Sequence, residues 1–129
     1  NAALDTPWPK LRRLRAHLET ALSPPFPASG APWGERSGVE GQARDLLSLL
    51  YDETRPPDPD LPQTGVGVAA ERFLSPIFVR SPAYGTRSST LVLAGEEQVE
   101  LWERTYEAGR PGSVAYARSP SARPRTGGP

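Results

Sequence analysis

A chain of 129 residues can form one domain core, but 16 prolines, 12 glycines and a hydrophobic share of 36% confine that core to two blocks separated by loops. Fifteen basic residues balance fifteen acidic ones, and the signs are interspersed, which excludes a broad basic face for nucleic acid or an anionic membrane. The absence of cysteine excludes disulfides and thiolate chemistry within the chain, a lone histidine excludes an ordinary metal set, and no cofactor is expected; a reducing, cytoplasmic setting fits this composition.

The chain opens at Asn1 and holds no methionine, which we read as a piece of a longer protein. The first helix is expected from about Pro7 to Leu22: Thr6 can cap it, Pro7 suits its first position, and Leu11, Leu14, Leu18, Ala21 and Leu22 share one face. Ser23-Pro24-Pro25 ends it, because consecutive prolines withdraw amide donors. A loop rich in Pro, Gly and Ser follows, carrying Phe26 and Trp33 as covers for a core edge. Val39 to Tyr51 is the second predicted helix, with Val39, Ala43, Leu46, Leu47 and Leu50 on its apolar face.

Prolines and acids from Asp52 to Pro62 make an exposed linker, after which Thr64-Gly65-Val66-Gly67 reopens ordered structure. Apolar and polar residues alternate from Ser89, Gly95-Glu96-Glu97 offers a reversal, and a second alternating run extends from Gln98 to Tyr106, which predicts a β-hairpin. Ala108 to Gly112 is a further turn, Val114-Ala115-Tyr116 is a short last strand, and the tail from Arg118 is expected to be disordered. No run approaches the roughly 18 apolar residues of a membrane helix, so membrane insertion is not expected. Helices first and strands afterwards predict an α+β fold, with helices on one face of an antiparallel sheet.

Few residues carry candidate chemistry. Arg72 precedes Phe73 and Leu74 in an apolar stretch, and a guanidinium there needs an anion, either a substrate or a structural partner. Arg87 follows Gly85 at the mouth of the hairpin, where a glycine lets a ligand approach the backbone, although a solvated turn arginine fits the same pattern. His17 flanks the first helix's apolar stripe and is read as a boundary residue. Ser88, Ser89 and Thr90 have no nearby histidine to activate them and are read as strand residues. Trp8, Trp33 and Trp102 are too far apart in sequence for a stacking platform and are read as core or boundary residues.

Four stretches carry a family resemblance: Asn1 to Lys10, Leu61 to Val66, Glu71 to Phe78, and Tyr84 to Thr90. Together and in this order they resemble the later half of the NRDE family, that of the eukaryotic Transport and Golgi organisation protein 2. The resemblance spans residues 1–117, divided into a helical part (1–52), a linker (53–64) and a β part (65–117), with 118–129 as the tail. It implies a longer chain whose first half begins Met-Cys and packs with this one. More distantly, that layout is similar to N-terminal-nucleophile hydrolases of the bile-salt-hydrolase and penicillin-V-acylase type, which implies part of a four-layer αββα sandwich.

By that resemblance Asn1 would match an oxyanion-hole amide and Arg72 an arginine of the catalytic pocket. Tyr84, Thr86 and Arg87 of the fourth stretch, the family's signature turn, are the candidate substrate-binding residues. The nucleophilic cysteine of such enzymes is missing here, so catalysis by this chain alone is not expected. The resemblance favours a non-catalytic ligand-binding or trafficking protein, tied in eukaryotic relatives to Golgi organisation, secretion and haem trafficking. The alternative is an amidohydrolase whose cysteine lies in the other half. The ligand would be a small molecule, an amide substrate or haem among the options, with His17 and the tyrosines as this chain's imaginable iron ligands.

Overall fold

The computed structural model describes residues 6–23 and 36–121. In chain order they form α1 (Pro9–Ala21), α2 (Arg36–Leu49), a 3-10 turn (Asp58–Asp60), α3 (Val68–Leu74), β1 (Ser88–Ala94), β2 (Gln98–Glu107) and β3 (Arg110–Pro120). The α+β class is as expected, with a third helix that the sequence pattern did not show.

Helix α1 starts two residues later than expected. Trp8 has extended backbone and Pro9, not Pro7, takes the first helical position, where a missing N–H leaves nothing unpaired. Its apolar stripe is only half covered: Leu11, Leu14 and Leu18 are half-buried, while Ala21 and Leu22 are exposed. Helix α2 starts three residues earlier than expected and ends before Tyr51, and its stripe is the better buried one. Ala43 and Leu47 are inaccessible to solvent, and with Trp102 they form the centre of the core, flanked by Leu50, Leu91, Leu93 and Val114.

The sheet is antiparallel in the order β1-β2-β3, with Leu91 opposite Trp102 and Trp102 opposite Tyr116. Period-2 alternation turns Ser89, Leu91 and Leu93 inward, and leaves Thr90, Val92 and Ala94 outward. The outer face has no covering layer among the described residues: Val92 is 56% exposed and Leu101, its partner across the strands, 41%. A bulge between Arg104 and Tyr106 shifts the register before the second hairpin. That hairpin closes through Ala108 and Gly109, both at positive φ (47° and 76°), as a two-residue primed turn requires.

Strand β3 is much longer than the three residues expected. Arg118, Ser119 and Pro120 pair with Glu100, Val99 and Gln98, so the start of the expected disordered tail belongs to the sheet; backbone pairing supplies order that side-chain pattern did not announce. A second packing centre joins the loop after α3 to the sheet. Phe78 is fully buried against Tyr51 and Tyr106, with ring centroids 4.4 and 4.7 Å away. Such ring pairs add about 0.5–1.5 kcal/mol beyond simple burial. The Phe78 amide donates to the Asp52 carbonyl at 2.8 Å, which anchors this loop to the end of α2.

Candidate functional site

Helix α3 depends on glycine. Gly67 caps it at φ 90° and ψ 151°, a region essentially closed to other residues, and its carbonyl accepts the Glu71 amide at 3.0 Å. In a helix of 3.6 residues per turn, positions i, i+3 and i+4 share a face. Glu71, Leu74 and Ser75 therefore line one side, and Arg72 is carried off it.

That side faces a pocket of about 330 Å³, lined also by Trp8, Lys10, Pro62, Thr64, Val79 and Tyr84. The volume lies at the small end of the roughly 300–1,000 Å³ range of ligand sites. Its walls are two aromatic rings and several aliphatic surfaces, with few polar groups. Lys10 Nζ donates to the Leu74 carbonyl at 3.3 Å, where a cation meets the negative end of α3, and lies 5.6 Å from the centre of the Trp8 ring. Glu71 is only 7% exposed. Its Oε1 accepts the Thr64 amide at 2.6 Å and the Thr64 hydroxyl at 2.5 Å, which ties the Gly65–Gly67 entry to α3.

Of the two readings open for it, Arg72 shows the structural partner. Its side chain is 44% exposed and forms a two-point pair with Asp58 of the 3-10 turn, at 3.0 and 2.5 Å. The Arg72 hydrogen bond, and after it the guanidinium's charge, hold the Asp58 carboxyl below its usual range against a smaller opposing effect of burial, and the same pairing raises the arginine's own value. Asn1 lies outside the described residues. Tyr84 borders the pocket, is well exposed, and has its ring centroid 5.8 Å from that of Phe73. Thr86 and Arg87 lie instead along an adjoining shallow recess of about 180 Å³ that Tyr84 also borders. Thr86 braces the turn: its amide donates to the Val79 carbonyl at 2.8 Å, and its hydroxyl accepts the Val79 amide at 3.1 Å.

A wider groove of about 700 Å³ passes Arg80, Glu107 and Arg110, but Arg80 is already engaged by Glu53 at 2.7 Å and by the Tyr51 hydroxyl. His17 stands 3.9 Å from Asp52 on α1, away from the pocket lining, so the imaginable iron ligands do not converge: Tyr84 is at the pocket and His17 is not. No group of three or more acidic or histidine side chains among the described residues can hold a metal ion. The hydroxyl of Ser75, the pocket's buried serine, donates to the Arg72 carbonyl at 2.8 Å. The arrangement can bind and orient a small molecule, and its one hydroxyl–carboxylate contact among the described lining residues is that of Thr64 with Glu71.

The family model for Transport and Golgi organisation 2 matches residues 1–108. The chain belongs to this family. No curated protein and no solved structure matches it. The matched span takes in all four stretches that carry the sequence resemblance, and the pocket draws lining residues from each of them: Trp8 and Lys10, Pro62 and Thr64, Glu71 and Ser75, and Tyr84. Glu71 is the functional candidate that sequence reasoning passed over. A signal was present in Gly67 followed four residues later by Glu71, which places the carboxyl inside a first helical turn.

Proposed function

We propose that this chain of the Transport and Golgi organisation 2 family is a non-catalytic ligand-binding part of a trafficking protein, with its ligand held between α1's start and α3. The supporting observation is the convergence of four separated family stretches on one pocket of about 330 Å³ that has apolar walls and a few polar groups. No helix among the described residues is long and apolar enough to cross a membrane, and we place the protein's work in the cytoplasm. The outer face of the sheet, with Val92 and Leu101 exposed, is where we place a second sheet of a four-layer sandwich, supplied by a partner half of the same domain.

The test is a small-molecule fragment screen by amide and indole NMR on this chain, extended to the longer protein. Binders should shift the Trp8 indole, Thr64 and Lys10 signals, and Trp8→Ala should abolish those shifts. A screen in which no compound moves these signals would remove the reading. Turnover of acyl amides by a protein carrying the family's amino-terminal cysteine, lost on changing that cysteine to serine, would replace it with the amidohydrolase alternative.

A further inference from the structure

The structure holds two buried acidic side chains whose surroundings differ in one respect. Glu100, on the inner face of β2, has both oxygens engaged. Its Oε1 accepts from Gln98 Nε2 at 2.9 Å and from the Tyr116 hydroxyl at 3.3 Å, and Oε2 from Trp102 Nε1 at 3.4 Å. Glu71 is buried to the same degree, at 7% exposure, but both of its hydrogen bonds end on Oε1. Its Oε2 accepts nothing from the described residues. No fully enclosed side-chain oxygen is left without a partner among those residues, so Oε2 borders open space, and Glu71 lines the 330 Å³ pocket.

A carboxylate oxygen removed from most of its water is stabilised by a donor, and most strongly by a cation. Within the described residues no cation lies within ion-pair distance of Glu71. Lys10, the pocket's cationic lining residue, spends one hydrogen on the Leu74 carbonyl and has no carboxylate partner there either. The site thus presents one carboxylate oxygen without a donor and one cation without a carboxylate to the same small volume, which Trp8 and Tyr84 also line. A ligand with one charge is attracted by one of these groups and repelled by the other. A ligand with both charges satisfies each, and an apolar body between them fills the aromatic walls.

We infer that the pocket takes a small zwitterion of amino-acid type, with its ammonium on Glu71 Oε2, its carboxylate on Lys10 Nζ and an apolar side chain against Trp8 and Tyr84. This deepens the ligand-binding reading above and rests on it. Hydrogen bonds to charged groups separate ligands by polarity more sharply than apolar contact does, because the wrong ligand leaves a desolvated charge unpaired.

Three probes of one shape test it by NMR titration of the chain: phenylalanine with both charges, phenethylamine without the carboxylate, and 3-phenylpropionate without the ammonium. Phenylalanine should bind at least about tenfold more tightly than either relative, as expected when one charged hydrogen bond is lost. Glu71→Gln keeps an oxygen for Thr64 and should bring phenylalanine down to the level of 3-phenylpropionate. Lys10→Met, at the half-buried start of α1, should bring it down to phenethylamine. Equal binding of all three probes, or retained preference in both variants, overturns the zwitterion while leaving a ligand pocket in place. If neither these probes nor any fragment moves the Trp8, Lys10 and Thr64 signals, the pocket reading fails and the zwitterion with it.

Discussion

Replacing Gly85 by alanine tests whether the turn from Tyr84 to Arg87 is a structural brace before it is anything else. A Cβ at position 85 would stand 2.5 Å from the Val79 carbonyl oxygen and 3.4 Å from its carbon. The obstacle is backbone, and it is fixed on both sides, since Val79 exchanges two hydrogen bonds with Thr86 at 2.8 and 3.1 Å. Overpacking of a fixed site costs about 1–3 kcal/mol, and losing one of the bonds adds about 0.5–1.5, so a loss of about 2–4 kcal/mol is expected. With a urea slope of about 1–3 kcal/mol per molar, the unfolding midpoint should fall by about 1–2 M. Gly41→Ala is the internal comparison: it lies within α2, nothing stands within 4 Å of its Cβ, and removing a helical glycine should raise stability by about 0.5–1 kcal/mol. If the two variants shift the midpoint in the same direction, the close approach of Gly85 to Val79 is refuted.

Ala108 occupies the left-handed region at φ 47° beside Gly109, and Ala108→Asn should raise stability by about 0.5–1 kcal/mol, read as a higher urea midpoint, because asparagine accepts the geometry of this two-residue turn. Phe78→Ala should destabilise by about 3–5 kcal/mol and reduce the near-UV dichroism of Tyr51 and Tyr106, whose rings it separates from the loop. For Asp52, burial raises the carboxyl's pKa but is outweighed by hydrogen bonds from Thr54 and Arg13 and by the Arg13 charge, so the folded value is lowered. A depressed folded value stabilises above the ordinary carboxylate range, near 4, and the contribution disappears as pH falls through the folded value. Thermal melts of the parent and Asp52→Asn should therefore differ at about pH 6 and converge as pH falls through the lowered folded value; melts that stay equally separated at neutral and strongly acid pH would contradict the pairing with Arg13.

Much of the fold was legible because its strongest elements repeat. Ala43, Leu46, Leu47 and Leu50 recur at helical spacing; the first three are buried on α2 and Leu50, just past its end, is half-buried. Leu91 and Leu93 alternate with Thr90 and Val92 and turn inward as period 2 demands. Where the pattern was too short, the reading stopped. Helix α3 has seven residues, two turns, and its two ends are set by a glycine at positive φ and by the loop to Phe78, neither of which shows as periodicity. Strand β3 was cut short for the opposite reason: its side chains are almost all exposed, so its order comes from the ladder with β2 and leaves little trace in hydrophobicity.

The site turned on a difference of one residue. Arginine in an apolar stretch signals a charge needing a partner, and Arg72 does have one, but the partner is Asp58 on the surface. Neighbours along a helix are turned about 100° from each other, so the same backbone that carries Arg72 outward carries Glu71 into the pocket. Composition made the arginine conspicuous among apolar residues and made the glutamate look like its solvated neighbour. Only the position of Gly67, four residues before Glu71, fixes which of the two faces inward, because the cap sets the phase of the first turn. The chemistry changes accordingly: a pocket built on Arg72 would select an anion, whereas one built on Glu71 with Lys10 presents both signs to its ligand. Two adjacent residues of opposite charge thus make opposite predictions for the ligand, and binding of phenylalanine against its two singly charged relatives decides between them.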